Sequence, residues 1–182
     1  MNKIKWIVSA FGILTLTIVN AQVINPISTK YNRDLDYLGA DGNEIFGVQS
    51  IRKSSDTYLI QLSTQNIKGW EYHKTVSVST KTDSLHITDV AKINENIYIS
   101  GNFKGSGDYQ NIIRYNTTTE KWDFPIEFSN ASTVLSLASL KTDLVIGGGF
   151  RSCNKTICNN ICTFDGSTTI TAFEENGTSR YQ

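Results

Sequence analysis

Histidine, proline and methionine are nearly missing from this chain: two, two and one in 182 residues. With His73 and His86 as the sole imidazoles, a metal centre built on clustered histidines has nothing to draw on. Two prolines and thirteen glycines exclude a collagen-like or Pro-rich disordered chain. Net charge is lacking too. Seventeen basic and seventeen acidic side chains cancel, leaving no basic excess for nucleic acid or an anionic membrane and no acidic tail. Helical periodicity is absent after residue 21. No Ser nucleophile elbow, phosphate-cradling Gly loop or metalloprotease His pair occurs. Asp34-Leu35-Asp36 opens like a calcium loop, but Leu38 and Ile45 fill ligand positions and exclude it.

What is present begins with a leader. Lys3 and Lys5 precede an apolar run over residues 6–19, and Val19-Asn20-Ala21 supplies small residues for cleavage before Gln22. That is the layout of a secretory signal peptide over residues 1–21. The run is too short and too rich in Ser and Thr to serve as a membrane span. The expectation is a secreted or cell-surface chain with no transmembrane anchor after cleavage.

Beyond the N-terminal segment 22–40, the residues 41–182 repeat. In the clearest copy, residues 94–122, Ile97, Tyr98 and Ile99 form a β-prone run broken by Gly101-Asn102. Ile112, Ile113 and Tyr115 form a second, and Trp122-Asp123-Phe124 opens a third. Ile45 and Trp70 both precede their counterparts Ile97 and Trp122 by 52 residues. Leu137, Leu140 and Phe150 follow Val90, Ile93 and Phe103 by 47. The second half of the third copy, Asn160 to Asp165, runs two residues further on, so the Cys-bearing loop carries an insertion. Repeats are expected over about 41–80, 85–128 and 132–175. One short-stranded sheet buries little alone, so the copies must stack.

The strand ending in Gly-Asn-Phe or Gly-Gly-Gly-Phe, followed by Asn-Ile-Ile-Arg-Tyr-Asn-Thr-Thr-Thr-Glu-Lys-Trp, resembles kelch-type repeats. It is similar to those of galactose-oxidase central-domain β-propellers. The matching positions are Gly101, Asn102, Tyr115, Asn116 and Trp122, then Gly147–Gly149, Phe164, Asp165 and Gly166. Gln49-Ser50 replaces the Gly pair in the first copy, and the third has no Trp. The resemblance implies an all-β fold: a partial β-propeller of about three antiparallel sheet repeats. Propellers typically close with about four to eight blades, so three imply a fragment of a longer ring, an association of chains, or an open stack. An uncovered terminal blade would expose an apolar face prone to self-association. The copper chemistry of one branch of that family needs clustered Tyr and His ligands absent here, and no cofactor is expected.

Three cysteines, Cys153, Cys158 and Cys162, gather in the third copy. In an oxidising compartment Cys153 and Cys158, five positions apart within the inserted loop, are expected to form a disulfide. Cys162 matches the strand residue Ile113 and is expected as a buried thiol. The competing reading is a thiolate metal site, which lacks a fourth ligand because both histidines lie far off in sequence. Sequons begin at Asn116, Asn130, Asn154 and Asn176.

These readings point to a non-enzymatic binding or scaffold module for a protein or glycan ligand. Residues 104–110 and 151–159 are equivalent loops expected on one rim, with Tyr109 and Arg151 as the contact residues. The alternative is part of a carbohydrate-active enzyme whose catalytic residues lie outside this chain.

Overall fold

The computed structural model describes residues 35–41, 44–66, 69–80, 82, 84–104, 111–129, 132–167 and 170–172. The expected leader, its cleavage point and the segment up to residue 34 lie outside them. Among the described residues the fold is all-β and antiparallel, with no helix and hence none long and apolar enough to cross a membrane. One of its sheets curls into a half-barrel.

The first sheet contains β1 (Tyr37–Asp41), β2 (Glu44–Arg52), β3 (Thr57–Asn66), β4 (Gly69–Tyr72) and β5 (Val76–Thr80). Strands β4 and β5 both pair with β3, at its two ends. The second sheet has β6 (Ile87–Ile93) and β7 (Asn96–Gly101). The chain then leaves it for β8 (Phe103–Lys104), which pairs with β5 of the first sheet, and returns as β9 (Ile112–Asn116) and β10 (Lys121–Asp123). The third sheet has β11 (Thr133–Leu140) and β12 (Asp143–Gly149). A small hairpin follows, β13 (Ser152–Cys153) with β14 (Thr156–Ile157), before β15 (Ile161–Phe164) and β16 (Ile170–Ala172) complete the sheet.

Cross-strand rows recur from sheet to sheet. Ile45 pairs with Gln65 and Gln65 with Trp70; Ile97 pairs with Tyr115 and Tyr115 with Trp122; Leu144 pairs with Phe164 and Phe164 with Ile170. These are the residues aligned from sequence, apart from Gln65, which takes the aromatic position in the first sheet. Its Oε1 is buried with no hydrogen-bond partner among the described residues.

The central sheet is buried on both faces, because its strands alternate apolar residues to either side. Val90, Ile97, Ile99, Ile113 and Tyr115 pack with Phe46, Val48, Ile60 and Leu62 of the first sheet. Ala91, Ile93, Tyr98 and Ile112 pack with Leu144, Ile146 and Phe164 of the third. Tyr98 meets Phe164 edge-on at 6.3 Å between ring centroids. Stacking is therefore what buries these strands.

The glycines after the inner strands act through close approach, with φ negative. A Cβ on Gly101 would lie 2.5 Å from the His86 carbonyl oxygen, and one on Gly148 would lie 2.2 Å from that of Thr133. The backbone they approach belongs to the same sheet, where the first strand enters. Both glycines carry the same bond: Gly101 donates to the Asn111 carbonyl and Gly148 to the Asn160 carbonyl, each at 2.9 Å.

A single carboxylate ties the first strands of all three sheets. Asp89, beside a bulge in β6, accepts from Tyr37 of β1 (2.7 Å) and from the Val90 N–H (2.8 Å) through Oδ1. Through Oδ2 it accepts from the Leu137 N–H (2.8 Å) and the Ser136 hydroxyl (3.3 Å) of β11. Burial and then the Asp89 bond hold the Tyr37 phenol well above its ordinary pKa. Asp89→Asn keeps the shape but turns an amide N–H₂ toward one set of donors. It is expected to lower stability by about 2–4 kcal/mol in denaturant unfolding followed by circular dichroism.

Candidate functional site: a buried thiol cluster beneath a fastened hairpin

The insertion expected in the third repeat folds as the hairpin β13–β14. Its turn residues Asn154 and Lys155 have φ of 45° and 69°, which suits a two-residue turn with positive φ at both central positions. The segment after β10 holds the hairpin down. Phe128 bridges Cys153, the Asn154 N–H donates to the Glu127 carbonyl (2.8 Å), and the Ser129 N–H donates to that of Ser152 (3.1 Å). The Glu127 N–H in turn donates to Asn154 Oδ1 at 2.9 Å. On the return side, the Cys158 N–H donates to the Arg151 carbonyl (3.0 Å) and the Asn160 N–H to that of Phe150 (2.9 Å).

Each cysteine is delivered by a different element: Cys153 by β13, Cys158 by the segment after β14, and Cys162 by β15 opposite Ile146 and Ala172. All three are buried in the apolar cluster that includes Phe128, Phe150 and Val134. Cys153 Sγ lies 2.9 Å from Cys158 Sγ and 3.1 Å from Cys162 Sγ. The three sulfurs all lie within 4.8 Å of one another. Both measured separations exceed the bond length of about 2.05 Å in a disulfide, and the three are free thiols here. Cys153 therefore stands between two possible partners, of which Cys158 is the expected one.

The thiols are unequal. Hydrogen bonding with Cys162, reinforced by burial, pushes the Cys153 thiol far up, and burial raises Cys158. Cys162 is lowered, chiefly by its hydrogen bond with Cys153. The buried Cys162 matches the expectation drawn from Ile113.

Of the two expected contact residues, Arg151 is exposed where the chain enters the hairpin, and its backbone N–H points at the Ser129 hydroxyl (3.3 Å). Tyr109 lies outside the described residues. Lys155 and Ile157 also stand exposed on the hairpin, Ile157 at 73%. Ile157 went unnoticed in the sequence because an Ile beside a Cys reads as core. Its alternation with the buried Cys158 was the available signal. Of the sequon asparagines, Asn154 accepts from the Glu127 N–H as above, and the Asn116 side chain donates to Asn96 Oδ1 and accepts from the Thr119 N–H.

A second feature is a polar cleft of about 180 Å³ between the first two sheets, lined by Glu44, Glu71, His73, Lys92, Tyr115 and Glu120 among others. Ligand pockets usually run from about 300 to 1,000 Å³, and ion pairing already occupies this one. Lys92 Nζ sits 2.6 Å from Glu44. His73 bonds Thr64 Oγ1 at 3.0 Å and lies against Tyr115, ring centroids 4.9 Å apart. It follows the end of β4 and has its partners in place. His86 is exposed and bonds Ser84.

Two measurements probe these groups. Protein recovered from an oxidising compartment is expected to be lighter than its reduced form by the two hydrogens of one disulfide. Peptide mapping should place the link at Cys153–Cys158, leaving Cys162 as the titratable thiol. Three free thiols in that product would exclude the link. For His73, burial lowers the folded pKa beneath its ordinary value of 6.5, so the unfolded state takes up the proton first. This stabilisation is complete above 6.5 and is lost as pH falls through 6.5 to the folded value. His73→Gln should flatten that part of the stability–pH profile. No protein-family model and no curated protein matches this chain, so its role has to be argued from these residues.

Proposed function

We propose that this chain is a secreted, non-enzymatic binding or scaffold module built of kelch-type propeller repeats. Its ligand, a protein or a glycan, is bound at residues 151–159 together with the equivalent 104–110. The observation that carries the reading is the hairpin. It is hydrogen-bonded to its neighbours along both sides, is plugged from below by three buried cysteines, and presents Arg151, Lys155 and Ile157 outward. A loop already fixed in place loses little conformational freedom on binding, which favours affinity. An apolar side chain beside two cations suits a partner offering both apolar and acidic groups. Tyr109, on the companion loop, would supply the stacking surface that a sugar ring needs.

The recurrence of cross-strand rows in three sheets supports the repeat assignment. The outer face of the third sheet supports the self-association expected for an uncovered repeat. Leu140 and Ile161 are 51% and 40% exposed, where the corresponding residues of the second sheet, Ile93 and Ile112, are 6% and 0%.

The test is a binding screen of the full secreted chain against immobilised glycans and surface proteins of the producing cell. Arg151→Ala combined with Ile157→Ser is expected to weaken the ligand so identified by about tenfold or more, with the melting temperature unchanged. Undiminished binding by this variant would remove the assignment of the hairpin.

A further inference from the structure

We propose that the reduced Cys153–Cys158–Cys162 cluster is a binding site for one thiophilic monovalent d10 cation, copper(I), held by three sulfurs. This inference rests on the cluster and is independent of the binding role given to the hairpin's outer face.

Three soft donors converge here from three separately anchored segments, and the anchoring is backbone hydrogen bonding that does not depend on the sulfurs themselves. The donors form a compact triangle with all sulfurs within 4.8 Å. Three bonds of about 2.3 Å around a trigonal centre would set the sulfurs about 4 Å apart. The 2.9 and 3.1 Å separations must therefore open by roughly an ångström, which side-chain rotation at Cys153 and Cys158 can supply while β15 holds Cys162.

The donor set selects the ion. Structural zinc takes four ligands, and no histidine or carboxylate joins this cluster among the described residues. Water is a poor fourth ligand at this site. The cysteines are 0–2% exposed, and their neighbours Phe128, Val134, Ile146 and Phe150 offer no hydrogen bond to hold it. Soft sulfur donors without oxygen or nitrogen partners favour copper(I) over harder cations. Binding transfers no electron; each thiol that becomes a thiolate gives its proton to solvent. Oxidation of Cys153 with Cys158 by a disulfide-exchanging oxidant removes two of the three donors, so metal and disulfide are mutually exclusive.

The experiment titrates the full chain, reduced and anaerobic, with copper(I) against a competing copper(I) chelator. One ion per chain is expected, with a sulfur-to-copper charge-transfer band in the ultraviolet. Each of Cys153→Ser, Cys158→Ser and Cys162→Ser should bind at least about tenfold more weakly. Because these positions are buried, a second arm uses the unaltered protein: oxidised glutathione should abolish uptake, and reduction should restore it. Uptake no greater than that of the triple Ser variant overturns the proposal, as does uptake indifferent to oxidation. Preference for zinc(II) in direct competition overturns the assignment to copper(I).

Discussion

Three sheets in a stack are held in register by one carboxylate. Asp89 receives donors from β1, from its own strand and from β11, so it fixes where the first strand of each sheet lies relative to the next. Apolar contact alone is indifferent to small slips between sheets, whereas hydrogen bonds are directional and are not. Thr88, one residue earlier, adds a bond from its hydroxyl to the Val134 carbonyl at 2.9 Å. The bulges in β6 and β11 make this possible. Each turns out of the ladder a residue that would otherwise be spent on pairing within its sheet.

Much of this arrangement was legible in the sequence. The offset of 47 residues between the second and third copies holds for the residues of β6 and β7 against those of β11 and β12, for the turn residues Asn94 and Lys141 at φ of 53° and 56°, and for Gly101 and Gly148. It holds because cross-strand register and the glycine close approach both penalise slippage by a single residue. The bulges between Ile87 and Asp89 and between Val134 and Ser136 were not legible there, because an apolar spacing of three also separates Val90 from Ile93, where the register is unbroken. Asp89 itself was harder to read. A lone Asp between apolar residues carries no local mark of donors that arrive from Tyr37 and Leu137, about fifty residues away on either side.

The thiol cluster was half legible. Matching Cys162 to Ile113 placed it on the inner face of a strand, and the inserted loop located Cys153 and Cys158 above it. Convergence of all three sulfurs depended on how the hairpin folds back. That is settled by Asn154 and Lys155 in the left-handed region and by the Phe128–Cys153 bridge. Such a long-range bridge is invisible to spacing arguments. It has a counterpart one repeat earlier, where Phe103 pairs with Thr80 across the seam between the first and second sheets. The second seam has a comparable bridge, with a hairpin and three cysteines added beside its buried aromatic rings.

That addition changes what the seam can do. Phe103 is fully buried and offers no chemistry. Phe150, which aligns with Phe103, stays buried beside Phe128, ring centroids 5.3 Å apart, and Cys153 packs in the same cluster. The centre of this seam holds polarizable sulfur shielded from water. The third repeat therefore keeps the buried aromatic of the second and gains chemically competent sulfur beside it.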